Sequence, residues 1–236
     1  MGVTAKICGL STEEAVTAAS AGGAAYLGFV FYPPSPRALT PQQAARLCAG
    51  VPAGIARVGL FVDADDHAIE AALTAAPIDI LQFHGGESPE RVIAAKRRFG
   101  RPVMKAVAIA EFKDVLGAAR YEDVADILLF DAKPPRRPAA LPGGNGLAFD
   151  WALIADRSWH TPWMLSGGLT AELLPEAVRI SGAAAVDVSS GVENRPGVKD
   201  LDKIRAFLAA ASALQSPKRP PKSRRGRRYT PPPIAR

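Results

Sequence analysis

Two side chains able to exchange protons close apolar runs far apart in the chain. Cys8 ends the run TAKIC that starts at Thr4, and Asp131 ends the run ILLFD that starts at Ile127. A thiolate serves as a base or nucleophile. Lys6 lies two residues before Cys8, on the same strand face, where an ammonium is expected to favour the ionised thiol. A carboxyl at the rim of an apolar wall is partly desolvated, which raises its proton affinity and suits it to act as an acid. Each has a plainer alternative: Cys8 as a small buried hydrophobe, Asp131 as a helix N-cap or as the partner of Lys133. Arg37 follows the stiff loop Tyr32-Pro-Pro-Ser-Pro and carries a planar fork suited to a carboxylate. Its alternative is a solvated loop arginine. His84, after Leu81-Gln-Phe, reads as a polar rim residue, with ligand or base as the other options. No spacing of His, Cys or Asp supports a metal site, and none is expected. Cys48 should lie about 15 Å by helical rise from the start of its helix, so it reads as core, unpaired with Cys8.

Two late segments are rich in Gly and Ser. The first is Ser166-Gly167-Gly168, and the second runs from Asp187 through Ser189, Ser190 and Gly191 to Glu193. Glycine lets the backbone approach an anion, and the N–H groups at a helix start point at it. One such segment alone is an ordinary strand-to-helix turn. Two at adjacent strand ends point to a phosphate, held by backbone groups without Lys or Arg.

The elements that must position these residues are short apolar runs alternating with alanine-rich stretches of helical spacing. The runs are Thr4–Cys8, Tyr26–Phe31, Ile55–Val62, Ile78–Phe83, Val103–Val107, Ile127–Asp131, Pro162–Ser166 and Ala184–Val188. They lack clean polar alternation, as strands buried on both faces do. Ser11-Thr-Glu-Glu, Thr40-Pro41, Ser88-Pro89 and, less strongly, Thr170-Ala-Glu172 open helices. Eight strands alternating with helices at roughly 26 residues per unit predict an α/β fold, a (βα)8 TIM barrel. The competitor is an open doubly wound sheet, but no GxGxxG follows the first strand. In a barrel the chemistry sits at the C-terminal ends of the strands, where Cys8, Arg37, His84, Asp131 and the two Gly/Ser segments fall.

Composition sets the outer bounds. The 236 residues are 48% hydrophobic and 22% charged, so the chain as a whole is not disordered. No apolar run reaches the length of about 18 residues that crosses a bilayer. The first ten residues lack the features of a signal peptide, and two cysteines fit a reducing, cytoplasmic setting. Of the 29 Lys and Arg, eight lie between Ser216 and Arg236, a proline-rich stretch without Asp or Glu; the rest is left with 21 basic against 23 acidic groups. Residues 1–214 are therefore read as the catalytic barrel and 215–236 as a disordered basic tail.

Taken in order, Lys6-Ile-Cys-Gly9, Gly28-Phe-Val-Phe with Ser35-Pro-Arg37, Gly59-Leu-Phe-Val62, Leu81-Gln-Phe-His-Gly85, Leu128-Leu-Phe-Asp131, Phe149-Asp-Trp151, Leu165-Ser-Gly-Gly-Leu169 and Asp187-Val-Ser-Ser-Gly-Val-Glu193 resemble phosphoribosylanthranilate isomerase over residues 4 to about 210. The resemblance implies a (βα)8 barrel of tryptophan biosynthesis that works without metal or organic cofactor. It implies an Amadori rearrangement of N-(5-phosphoribosyl)anthranilate to 1-(2-carboxyphenylamino)-1-deoxyribulose 5-phosphate. By the same resemblance Asp131 is the acid that opens the sugar ring, Cys8 the base that takes the C2′ proton, and Arg37 the partner of the anthranilate carboxylate. Ser166–Gly168 and Ser189–Gly191 match the family's phosphate grip.

Ala132 stands where the family usually has Thr or Ser, and Asn145 where it commonly has Thr; both departures bear on closure of the sixth loop. Two rivals are weighed. An aminoaldose isomerase of histidine biosynthesis would carry an aspartate in place of Cys8. A nucleic-acid-binding protein would use the tail, where Tyr229 is the one aromatic available to stack. The partner expected is a small phosphorylated substrate, with no membrane, a weak salt-sensitive contact of the tail with nucleic acid or an anionic surface, and a monomeric or homodimeric state.

Overall fold

The computed structural model describes residues 2–134, 141–155 and 157–215. Eight parallel strands close into a barrel in chain order: β1 (Thr4–Cys8), β2 (Tyr26–Val30), β3 (Ala56–Phe61), β4 (Ile80–Phe83), β5 (Val103–Ile109), β6 (Ile127–Ala132), β7 (Trp163–Leu165) and β8 (Ala185–Val188). Closure between β8 and β1 aligns Lys6 with Asp187 and Ile7 with Val188. The open doubly wound sheet is thereby excluded. Each expected apolar run holds one strand. Of the expected tail, 215–236, residues 216–236 lie outside the described residues.

The helices are α1 (Glu13–Ala21), α2 (Pro41–Ala49), α3 (Asp66–Ala75), α4 (Pro89–Phe99), α5 (Phe112–Ala118), α6 (Ala152–Ala155), α7 (Leu174–Ser181) and α8 (Leu201–Ala213). The hydroxyls of Thr12, Thr40 and Ser88 accept from the N–H three residues on, satisfying donors that a first helical turn leaves free. Thr40 and Gln43 close a reciprocal capping box. Two elements depart from expectation. Thr170 accepts from Leu173 N and forms only a preliminary turn, because Pro175 fits the first turn of a helix that starts at Leu174. The last helix does not follow β8 directly: a 3-10 turn at Ser190–Val192 and a hairpin of β9 (Glu193–Arg195) and β10 (Val198–Lys199) intervene.

Strand parity divides the buried side chains in two. Outward residues such as Phe29, Phe61, Phe83 and Phe130 pack under the helices in one continuous core. Inward residues Val58, Ile80, Met104, Ala106, Ile127, Leu129 and Met164 fill the lower barrel. Most positions of the eight barrel strands are buried whichever face they point to, which explains the absence of alternation in the sequence. Among the described residues, no helix is long and apolar enough to cross a membrane.

Candidate active site

Above that apolar plug the barrel interior turns polar. Along β4, Ile80 is followed on the same face by Gln82 and then His84. Along β6, Ile127 and Leu129 are followed by Asp131. A cavity enclosing about 750 Å³, part of it open to solvent, occupies the C-terminal mouth. Its lining includes Cys8, Arg37, His84, Asp131, Ser166, Gly167, Gly168, Asp187, Ser189, Ser190 and Gly191. Every candidate singled out from the sequence thus meets around one space.

On one side of the cavity stands Asp131, buried, with Oδ1 accepting from Ala132 N at 2.9 Å and Oδ2 paired with His84 Nε2 at 3.1 Å. Lys133 reaches Asp114 instead, at 3.0 Å, so the suggested Asp131–Lys133 pair is not formed. His84 Nδ1 contacts Gln82 Nε2 at 3.0 Å. Gly143 lies across this acid, and a Cβ there would come within 2.6 Å of His84 Nε2 and 2.9 Å of Asp131 Oδ2. Glycine is required by that close approach.

On the other side, Cys8 is buried above Lys6, whose Nζ donates to Asp187 Oδ1 at 2.7 Å. The strand register that aligns Lys6 with Asp187 makes this ion pair. Burial alone would push the Lys6 ammonium down, but Asp187 and Cys8 outweigh it and hold its pKa above the ordinary lysine value. Lys6 favours the Cys8 thiolate, as expected, but its charge is outweighed. Burial pushes the Cys8 thiol up, and the opposing charges of Lys6 and Lys199 do not offset it, so its pKa is raised. The second carboxylate oxygen of Asp187 accepts from Ser166 Oγ at 3.2 Å. Asp187 is thus committed to holding Lys6 and Ser166.

Arg37 is also committed. Its Nε and Nη2 both donate to Glu193 at 2.7 Å, and Nη2 reaches Gly144 O at 3.3 Å. The fork expected to meet a ligand carboxylate is taken by an internal one, leaving the two Nη1 hydrogens. Glu193 also accepts from Lys199 Nζ at 2.8 Å, and Lys199 donates to Ser189 O at 2.8 Å. Burial would push the Glu193 carboxyl up. The hydrogen bond from Arg37 and the charge of Lys199 reverse this and hold it below the usual carboxylate range. The phosphate segments differ from the expected helix starts, since α7 and α8 begin farther along the chain. What faces the cavity is loop backbone: Gly168 adopts φ +64°, a conformation suited to glycine. Among the described residues no acceptor meets the N–H of Gly167 or Gly168. Nor do the described residues hold a group of three or more His, Cys, Asp or Glu set for a metal ion.

The sequence model of N-(5'phosphoribosyl)anthranilate (PRA) isomerase matches residues 5–210. The chain belongs to this family. It is 58% identical over 210 residues to an N-(5'-phosphoribosyl)anthranilate isomerase of Cereibacter sphaeroides, covering 89% of this chain and 99% of that protein. The crystal structure of the phosphoribosyl anthranilate isomerase from Thermotoga maritima is similar, with TM-score 0.81 and 36% identity over 90% of this chain and all of the other. A phosphoribosyl anthranilate isomerase crystallised with reduced 1-(o-carboxyphenylamino)-1-deoxyribulose 5-phosphate aligns with TM-score 0.75 and 33% identity over 90% of this chain and all of the other.

Within this isomerase family the chain departs at two positions of this region, Ala132 and Asn145. Ala132 lies close against Gly167, where a Cβ would come within 2.8 Å of the Ala132 N and 3.1 Å of its Cβ, so glycine at 167 is what lets the two segments meet. Asn145 Nδ2 donates to Leu141 O at 2.7 Å and braces the 141–147 loop over the mouth. Three residues of the site had been given no role from the sequence. Gln82 was detectable in principle, as a polar residue in an apolar run with the parity of His84. Glu193 stood at the end of a quoted motif. Lys199 had no local signal; a hairpin after β8 carries it back to the mouth.

Proposed function

We propose that this cavity carries out the Amadori rearrangement of N-(5-phosphoribosyl)anthranilate to 1-(2-carboxyphenylamino)-1-deoxyribulose 5-phosphate, the isomerisation of tryptophan biosynthesis, by general acid–base catalysis. Asp131 gives its proton to the furanose ring oxygen, the C1′–O bond breaks, and the sugar opens to a Schiff base conjugated to the anthranilate nitrogen. The Schiff base acidifies the C2′ proton, which the Cys8 thiolate removes to give an enolamine. Tautomerisation of the enolamine gives the ketone. The iminium is its own electron sink, so these steps call on no further group.

The single observation that carries this reading is that Cys8 and Asp131, 123 positions apart in the sequence, line one cavity with both Gly/Ser segments. The phosphate is assigned to the free N–H groups of Gly167 and Gly168 with Ser189, Ser190 and Gly191. The anthranilate carboxylate is assigned to the Nη1 edge of Arg37, whose other edge Glu193 holds still. Val30, Leu60 and Val62 supply an apolar wall beside Cys8 for the aromatic ring.

The test is turnover of phosphoribosylanthranilate generated in place and followed by anthranilate-type fluorescence. Its consumption should outrun spontaneous hydrolysis. Cys8→Ala and Asp131→Asn should each lower kcat by about 10²–10⁴-fold, the usual contribution of a positioned acid or base. Near-normal turnover by either variant removes that residue from the role given to it.

A further inference from the structure

Gln82 is fully buried inside the barrel, yet its amide has one polar neighbour, the His84 ring. Its Oε1 is a buried atom without a hydrogen-bond partner among the described residues. The other such atoms belong to α1 and to the segment 151–159, outside the barrel interior. A leucine or methionine would fill this volume without burying an unsatisfied oxygen. The amide therefore earns its place through its nitrogen.

A neutral imidazole has one nitrogen that donates and one that accepts. Gln82 Nε2–H points at His84 Nδ1 at 3.0 Å, so Nδ1 is the acceptor and the ring proton sits on Nε2. That proton faces Asp131 Oδ2 at 3.1 Å. We propose that Gln82 is a positioning residue for the acid: by fixing the Nε2–H tautomer of His84, it keeps a hydrogen-bond donor on the Asp131 carboxylate. The donor stabilises the charge Asp131 acquires when its proton leaves for the sugar ring oxygen, and no proton leaves His84. It also holds one carboxyl oxygen in a fixed direction. With the opposite tautomer, a lone pair on Nε2 would face the carboxylate and repel it. The inference rests on Asp131 being the acid.

The tautomer is read directly, from 15N shifts and two-bond 1H–15N couplings of His84 in the unmodified protein, with the signals assigned against His84→Asn. The Nε2–H form is expected, and the Nδ1–H form overturns the proposal without any Gln82 variant. Kinetics supply the second arm. Gln82→Leu should lose the tautomer preference and lower kcat about tenfold with KM within twofold. Gln82→Met, which keeps the side-chain length but cannot donate to Nδ1, should behave alike. A normal kcat in either variant overturns the proposal. Asp131→Asn separates the two ideas: its activity tests the acid assignment alone, whereas normal turnover by Gln82→Leu beside an inactive Asp131→Asn defeats only the inference about Gln82.

Discussion

The lower and upper halves of the barrel interior are built by the same strands and obey opposite rules. Below, Val58, Ile80, Met104, Leu129 and Met164 make a dry plug that needs no particular partner at any position. Above, Lys6, Gln82, Asp131, Ser166 and Asp187 are equally buried, and nearly every polar atom is tied to a specific neighbour. The change occurs within one step of strand parity: Leu129 belongs to the plug and Asp131 to the site. Apolar residues tolerate exchange as long as volume is kept, whereas a buried charge that loses its partner leaves an uncompensated one behind. The lower half therefore supplies stability, and the upper half gives some of it up to hold charges where a ligand can meet them.

The largest effect expected on folding lies in the upper half. Lys6→Met strips Asp187 of its ion partner inside the barrel and should cost about 3–5 kcal/mol in denaturant unfolding. The double variant Lys6→Met/Asp187→Leu should recover much of that loss, because both charges are then gone. A double variant no more stable than the single one would mean that packing, and not charge pairing, governs this layer.

In the lower half, Leu129→Ala opens a cavity in the plug and should cost about 2–5 kcal/mol. The folded variant should keep kcat/KM within about threefold, measured well below its unfolding transition. A loss of activity as deep as that of Asp131→Asn, in protein shown to be folded, would erase the division between the halves.

The smallest expected effect is on pH dependence. A base works only when deprotonated, and burial raises the pKa of Cys8 above the ordinary cysteine range. The rising limb of kcat/KM against pH should accordingly be displaced to higher pH. Lys199→Met removes one of the charges that counter burial and should move the limb further up. A limb below the ordinary cysteine range, or one displaced downward in Lys199→Met, contradicts the balance assigned to this thiol.

How much of this was legible beforehand depends on the range of the interaction concerned. Cys8, His84 and Asp131 announced themselves because each ends an apolar run, and strand parity is a two-residue property. Thr40 and Ser88 were readable as caps because a cap acts over three residues, and Ser11-Thr12 held a third. Thr170 misled because Pro175, farther on, fixed the helix start instead. The pairing of Arg37 with Glu193 spans 156 positions and has no trace in the neighbourhood of either residue. Lys199 is similar: its position over Ser189 depends on a hairpin that the alternation of strands and helices does not announce.

The sequence by itself determined the eight-fold alternation, the family and which side chains reach the mouth, since hydrophobic spacing and motif order are local records of strand and turn. The tertiary structure alone decided what those side chains do to one another. It turned the fork of Arg37 inward onto Glu193, set Asp187 to hold Lys6 and Ser166, and raised the proton affinity of Cys8 despite two nearby ammonium groups. Burial and charge proximity are sums over everything that surrounds an atom, and those surroundings exist only once the barrel has closed.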